Sequence, residues 1–138
     1  MKADLVSEFA LRRLRHPALR AIEASGIKRT LLSVKPRSDE PYPTMELIQF
    51  NWFMNQGLLG WDSQTAQLTI DYSLYEDTIK SLLTEVLRLQ GAGDKAAVAA
   101  FFARWTIWDE DVHERLAARL RDAQGPRFRI VKYGALGD

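Results

Sequence analysis

Apolar residues recur along the chain at two periods, and the changes of period divide it into elements. Over residues 3–15, Leu5, Val6, Phe9 and Leu14 carry the three-and-four spacing of an amphipathic helix. Pro17 suits a helical first turn and opens a second, short helix, with Leu19 and Ile22 on its apolar side and Gly26 placed to end it. Residues 27–34 are partly β-branched and read as one extended segment. Three prolines between Pro36 and Pro43, with Ser38 and Asp39, mark the clearest loop. From Thr44 to Gln56 the pattern is helical again, with Thr44 as cap, Glu46 in the first turn, Leu47, Ile48 and Trp52 marking its faces, and Gly57 as stop.

The period then shortens. Leu58 to Trp61 and Gln67 to Ile70 flank the polar turn Asp62-Ser63-Gln64-Thr65, a small hairpin that must lie against helices to be stable. Asp71 caps the longest helix, about residues 72–90, whose stripe is Leu74, Ile79, Leu82, Leu83, Val86 and Leu89. Gly91-Ala92-Gly93 ends it. Asp94 caps the next helix, to about Arg104, with Val98, Phe101 and Phe102 inward. Trp105 to Trp108 is an apolar connector. Asp109 caps a last helix to about Ala123, carrying Val112, Leu116 and Leu120, and Gln124-Gly125-Pro126 ends it. The stretch from Arg127 to Tyr133 alternates basic and apolar residues as a strand or arm would. The sum is a mainly α fold, a bundle-like lobe of five or six helices with one β-hairpin. It is organised as a single domain over 1–138: basic helices over 1–37, a loop over 38–43, and the remainder over 44–138.

Composition narrows the class. With 138 residues, 46% of them hydrophobic, and a net charge of +1, the chain is an ordinary globular protein and not a disordered one. The absence of cysteine excludes a disulfide scaffold and a cysteine zinc site. No apolar run reaches the length of a membrane helix, and Arg12, Arg13 and Arg15 interrupt the one region resembling a secretory signal. Cytoplasm is the expected compartment, with no membrane partner. Charge is uneven: residues 1–37 hold nine Lys or Arg against three Asp or Glu, a net +6, and residues 38–138 hold ten against fifteen, a net −5. Such a basic segment invites a nucleic-acid reading. The arginines fall within amphipathic helices, however, and no RNA-binding signature, helix-turn-helix spacing or zinc finger accompanies them. Complementarity between the two segments within one fold is the better reading.

Candidate chemistry is sparse. His113-Glu114 begins like a zinc helix, but the positions where a second imidazole would share its face hold Ala117 and Ala118. His113 therefore reads as a surface or half-buried helix residue, and His16, before Pro17, as an aid to capping. No serine lies in a nucleophile elbow and no phosphate loop is present; Gly91-Ala92-Gly93 follows a helix, not a strand. Asp109, Glu110 and Asp111 complement the positive end of a helix dipole rather than hold a metal. Of the four tryptophans, Trp52, Trp61, Trp105 and Trp108, the last two are the candidates for a partner interface.

Several segments, taken in order, resemble the C-terminal part of dipeptidyl peptidase III-like zinc metallopeptidases. Glu46-Leu47-Ile48 with Asn51 through Gly57 resembles the family's helix before its hairpin, and Asp71-Tyr72 the hairpin's exit. Leu82 through Asp94 resembles its long helix ending in small residues and Gly-Asp, with Ala96 to Trp105 as the following helix. Trp108 through Leu116 resembles its Asp-containing helix with a histidine. The resemblance spans about residues 44–133. At the other end, Lys2-Ala3-Asp4-Leu5 resembles the close of the family's second zinc motif, which implies Asp4 as an aspartate that orients a zinc-binding histidine. The ligand glutamate and the HExxGH helix would precede Met1, and the connection over about 26–43 is shorter than the family's. The resemblance thus implies the fold of a catalytic-lobe segment that holds no zinc or other cofactor and has no peptidase activity alone. The alternative reading is a non-enzymatic helical module that forms a homodimer or binds another protein.

Overall fold

The computed structural model describes residues 1–123, which form six helices and one two-stranded antiparallel sheet. Helix α1 (Lys2–Arg13) buries Leu5 completely and lies along α4 (Tyr75–Ala92). Full burial of one such leucine is worth about 1.5–3 kcal/mol. Helix α2 (Leu19–Arg29) follows a short turn in which His16 Nδ1 accepts the Ala18 N–H at 3.2 Å. Helix α3 (Pro41–Asn55) is the centre of the molecule. It buries Leu47, Ile48, Gln49, Phe50 and Phe53, and packs against α4, α5 (Lys95–Trp105) and strand β1. All-round burial explains why its pattern is apolar on more than one face.

Strands β1 (Leu59–Asp62) and β2 (Gln67–Ile70) pair in the register Leu59 with Ile70 and Asp62 with Gln67. Asp62 builds the turn between them. One carboxylate oxygen accepts the N–H groups of Gln64 (2.8 Å) and Thr65 (3.2 Å), and the other accepts the Thr65 hydroxyl (2.7 Å). These bonds, the hydroxyl's first, hold the Asp62 carboxyl below its ordinary range. Helix α6 (Arg115–Ala123) secures the turn from outside: Arg115 donates to the Ser63 carbonyl at 2.5 Å and Arg119 to that of Ala66.

The boundaries differ from the sequence pattern in four places. Gly26 does not end α2; it is buried inside the helix, which runs on to Arg29 and absorbs the start of the expected extended segment. Helix α3 begins at Pro41 rather than Thr44, because proline at the first helical position loses no intrahelical bond. Thr44 is then interior, its hydroxyl donating to the Glu40 carbonyl at 2.7 Å. Asp71 caps a single 3-10 turn, Tyr72–Leu74, that precedes α4. Asp109 caps a π-helical turn, Glu110–Glu114, so the first turn of the last helical segment is wider than an α-helical one before α6 begins. The expected stop at Gln124-Gly125-Pro126 and the alternating stretch Arg127–Tyr133 lie outside the described residues. No helix among the described residues is long and apolar enough to cross a membrane.

Candidate functional site

The chemistry-bearing residues gather in three places, and the first is centred on His113. Its ring sits between Phe50 and Trp108, with both ring centroids 5.0 Å away, and only 8% of the residue is exposed. The hydrogen bonds around it are consistent in one arrangement. The Trp105 and Ile107 carbonyls can only accept, so they face the Asn51 amide nitrogen, at 2.9 and 2.8 Å. Asn51 Oδ1 then faces His113 Nε2 at 2.9 Å, which must carry the proton. Nδ1 is left free to accept the Asp109 N–H at 2.9 Å. Burial lowers the imidazole's pKa; the nearby Asp109 carbonyl and charge oppose that shift without reversing it. The result is a clasp that ties the connector between α5 and α6 to the centre of α3. With both nitrogens engaged, the ring is a structural group.

The second place is an open groove of about 600 Å³. The loop from Lys35 to Asp39 and the C-terminal part of α5, through Phe102 and Thr106, line it together with Pro41, Thr44 and Leu47 of α3. The clasp fixes one border, because Asn51 grips the backbone at Trp105 and Ile107. The loop is fixed by Glu40, which accepts the Arg37 N–H at 2.9 Å and pairs with its guanidinium at 3.2 Å. Val34, Tyr42, Phe102 and Ile107 are exposed at 60, 74, 40 and 61%. Each lines the groove or adjoins in sequence a residue that does. They are half of the exposed large hydrophobics among the described residues. Exposed Phe102 on an open groove makes this the candidate interaction surface.

The third place is a polar network between α1, α2 and α4. Asp4 lies on α1 and shares Arg29 with Glu8: Arg29 is 3.3 Å from Asp4 and 3.2 Å from Glu8. The Tyr75 hydroxyl donates to the other Glu8 oxygen at 2.8 Å. Burial raises the Glu8 carboxyl above its usual pKa despite those partners. Asp4 is therefore engaged by its own fold through an exposed ion pair, at a distance from both histidines in the hydrogen-bond pattern.

Of the two tryptophans expected at an interface, Trp105 is 8% exposed and stacks inside the molecule on Trp52 at 4.7 Å. Trp108 is half-buried against His113. The exposed apolar positions are their neighbours, Phe102 and Ile107. Lys35, Val34 and Tyr42 were not singled out by periodicity, since they sit in or beside an irregular loop; the signal available was a proline-rich stretch with apolar residues on both sides. Zinc, which the family resemblance associates with the fold, does not fit the described residues. His113 is bound at both nitrogens, Asp4 is bound to Arg29, and no three His, Asp or Glu side chains among the described residues converge as ligands. Compared with protein families, curated proteins and solved structures, the chain matches none.

Proposed function

We propose that this chain is a peptidase-like helical lobe with no hydrolytic activity of its own, and that it works by protein association through the groove between α3, α5 and the Lys35–Asp39 loop. The observation that carries the association is this open groove, lined by exposed Phe102 together with Leu47 and the Lys35–Asp39 loop, with walls fixed by hydrogen bonds. Supporting the first half are the segments that resemble the dipeptidyl peptidase III-like lobe in order. The engagement of His113 and Asp4 by internal partners argues against hydrolysis. An apolar surface held open in this way contributes binding energy without an ordering cost on its own side.

Two readouts test this on the purified protein. Elemental analysis is expected to find no stoichiometric zinc, and dipeptidyl substrates are expected to remain uncleaved with zinc added. A fluorescent dye that brightens on apolar surfaces is expected to bind, and to lose most of that binding in the Phe102→Ser, Ile107→Ser double variant. One tightly held zinc per chain, or zinc-dependent cleavage, contradicts the first half; dye binding unchanged in the variant contradicts the second.

A further inference from the structure

The helical segment that follows the α5 connector is fastened to the rest of the molecule at few points, and one of them can take up a proton. Between Asp109 and Ala123 only His113 and Ala117 are buried. Three arginines of the segment bind backbone carbonyls elsewhere: Arg115 at Ser63, Arg119 at Ala66 and Arg121 at Ser33. All three bonds are exposed, where water competes for both partners. The buried seam is different. Leu47 and Phe50 of α3 face Trp108, His113 and Leu116 around a small cavity. Across that seam His113 Nε2 donates to Asn51 on α3, while Nδ1 accepts the Asp109 N–H at the start of the π-helical turn. Both bonds together require the neutral ring. The connector up to Ile107 has no such requirement, because the Asn51 amide holds the Trp105 and Ile107 carbonyls and none of these groups titrates.

We infer that the His113 clasp is a proton-operated latch on residues 109–123: protonation of the ring frees this segment from α3, with the backbone between Ile107 and Asp109 as the hinge, while α1 to α5 stay folded. A proton on Nδ1 faces the Asp109 N–H, which loses its acceptor; the Asp109 carbonyl, 3.3 Å away, is the one acceptor the structure places near it. The charge would also sit in the seam between Phe50 and Trp108. The ring is packed by α3 through Phe50 and Asn51, by the end of α2 through Thr30, by the connector through Trp108 and by α6 through Leu116, none of which ionises. Asp109 on its own turn supplies the one charge acting on it, and that carboxylate is held by the Val112 N–H. Burial outweighs this charge and disfavours the imidazolium in the latched state. In the released state the ring meets water and binds the proton more tightly, so acid favours release, with a ceiling of about tenfold per pH unit for one proton. The latch does not depend on the association reading: Phe102 and Thr106, which line the groove, lie on the held side of the hinge.

Amide hydrogen exchange of the full chain tests this between about pH 7.5 and pH 5.5, read as protection factors corrected for the pH dependence of the exchange chemistry. Protection of residues 109–123 is expected to fall below about pH 6.5, by up to about tenfold per pH unit, while protection of α3 and α4 holds. The side chain of His113→Asn can accept the Asp109 N–H without titrating, and in that variant the segment's protection is expected to stay constant over the same range. Protection of 109–123 that does not change with pH in the wild type overturns the latch, and so does an equal fall in wild type and variant. An equal loss in α3 and α4 overturns it as well, because the proton then acts on the whole fold. A proton NMR titration of the His113 imidazole in the wild type holds the inference to account even where the variant fails to fold. A midpoint below the ordinary histidine value of about 6.5 is expected, and a midpoint at or above it overturns the latch.

Discussion

Gly26 shows how a residue that punctuates by type is used for space. A Cβ built there would lie 2.7 Å from the Tyr75 hydroxyl and 2.8 Å from a Glu8 carboxylate oxygen, closer than side chains pack. Alanine gains about 1 kcal/mol of helix propensity over glycine. Here it must displace a charge-assisted hydrogen bond worth about 1.5–3 kcal/mol. Gly26→Ala is therefore expected to lower the Tm, and to lower it less in a Tyr75→Phe background, where the bond is already gone. Equal losses in both backgrounds, measured by thermal denaturation, contradict the close-approach account. From sequence this glycine is indistinguishable from a stop, since the groups that need its space are 18 residues back and 49 ahead.

His113 works at the same scale through protons. Burial lowers its folded pKa, so the unfolded chain takes up the proton first as pH falls. The stability its neutral form supplies is complete above the ordinary histidine pKa of about 6.5 and is lost as pH drops below it. A proton on Nδ1 would face the Asp109 N–H that it now accepts. The Tm is expected to fall between pH 7 and pH 5.5, and His113→Asn is expected to flatten that fall; an identical slope in the variant removes His113 from the account. Its neighbours in sequence gave no hint of this burial, because its partner Asn51 comes from another helix.

Among the elements, those started by a local side chain were legible and those started by the backbone or by distant packing were not. Asp94 was readable as a cap, and it accepts from Ala96 and Ala97 N–H at 2.8 and 3.2 Å. Asp94→Ala is expected to destabilise the protein by about 1 kcal/mol, read from denaturant unfolding, with Asp94→Asn recovering most of it. No loss in the alanine variant would show that packing of Phe101 and Trp105 alone fixes α5. The hairpin was equally legible, since Asp62 supplies its own turn. The start of α3 was not: Pro41 and Pro43 suit a loop and a helical first turn alike, and the burial of Leu47 to Phe50 decides between them. The π-helical turn at Glu110–Glu114 has no signature in residue types, and it coincides with His113 reaching both Asn51 and the Asp109 backbone.

At the scale of the molecule, the mainly helical lobe with one hairpin follows from the apolar periods, whereas the use of charge does not. Complementarity between a basic first third and an acidic remainder was the expectation. Among the described residues, the N-terminal arginines instead find most of their partners nearby: Arg29 pairs with Asp4 and Glu8, and Arg20 with Glu23. Arg12 alone of these reaches across, joining buried Glu23 and lying 2.7 Å from Glu76 on α4. Lys35, which lines the groove, forms no ion pair among the described residues, and it was not conspicuous in a chain whose charges nearly cancel. The groove itself was illegible for a related reason. Its residues come from a loop and two helices, and only their exposure in the folded state distinguishes Ile107 and Phe102 from the buried Trp105 beside them.

Amide hydrogen exchange measured without and with the apolar dye tests the groove as a docking surface most directly. The account predicts that the dye slows exchange in residues 35–44 and 102–106, which line the groove, and leaves α1, α2 and the hairpin unchanged. Exchange that is indifferent to the dye in those two segments, or slowed equally throughout, would contradict it.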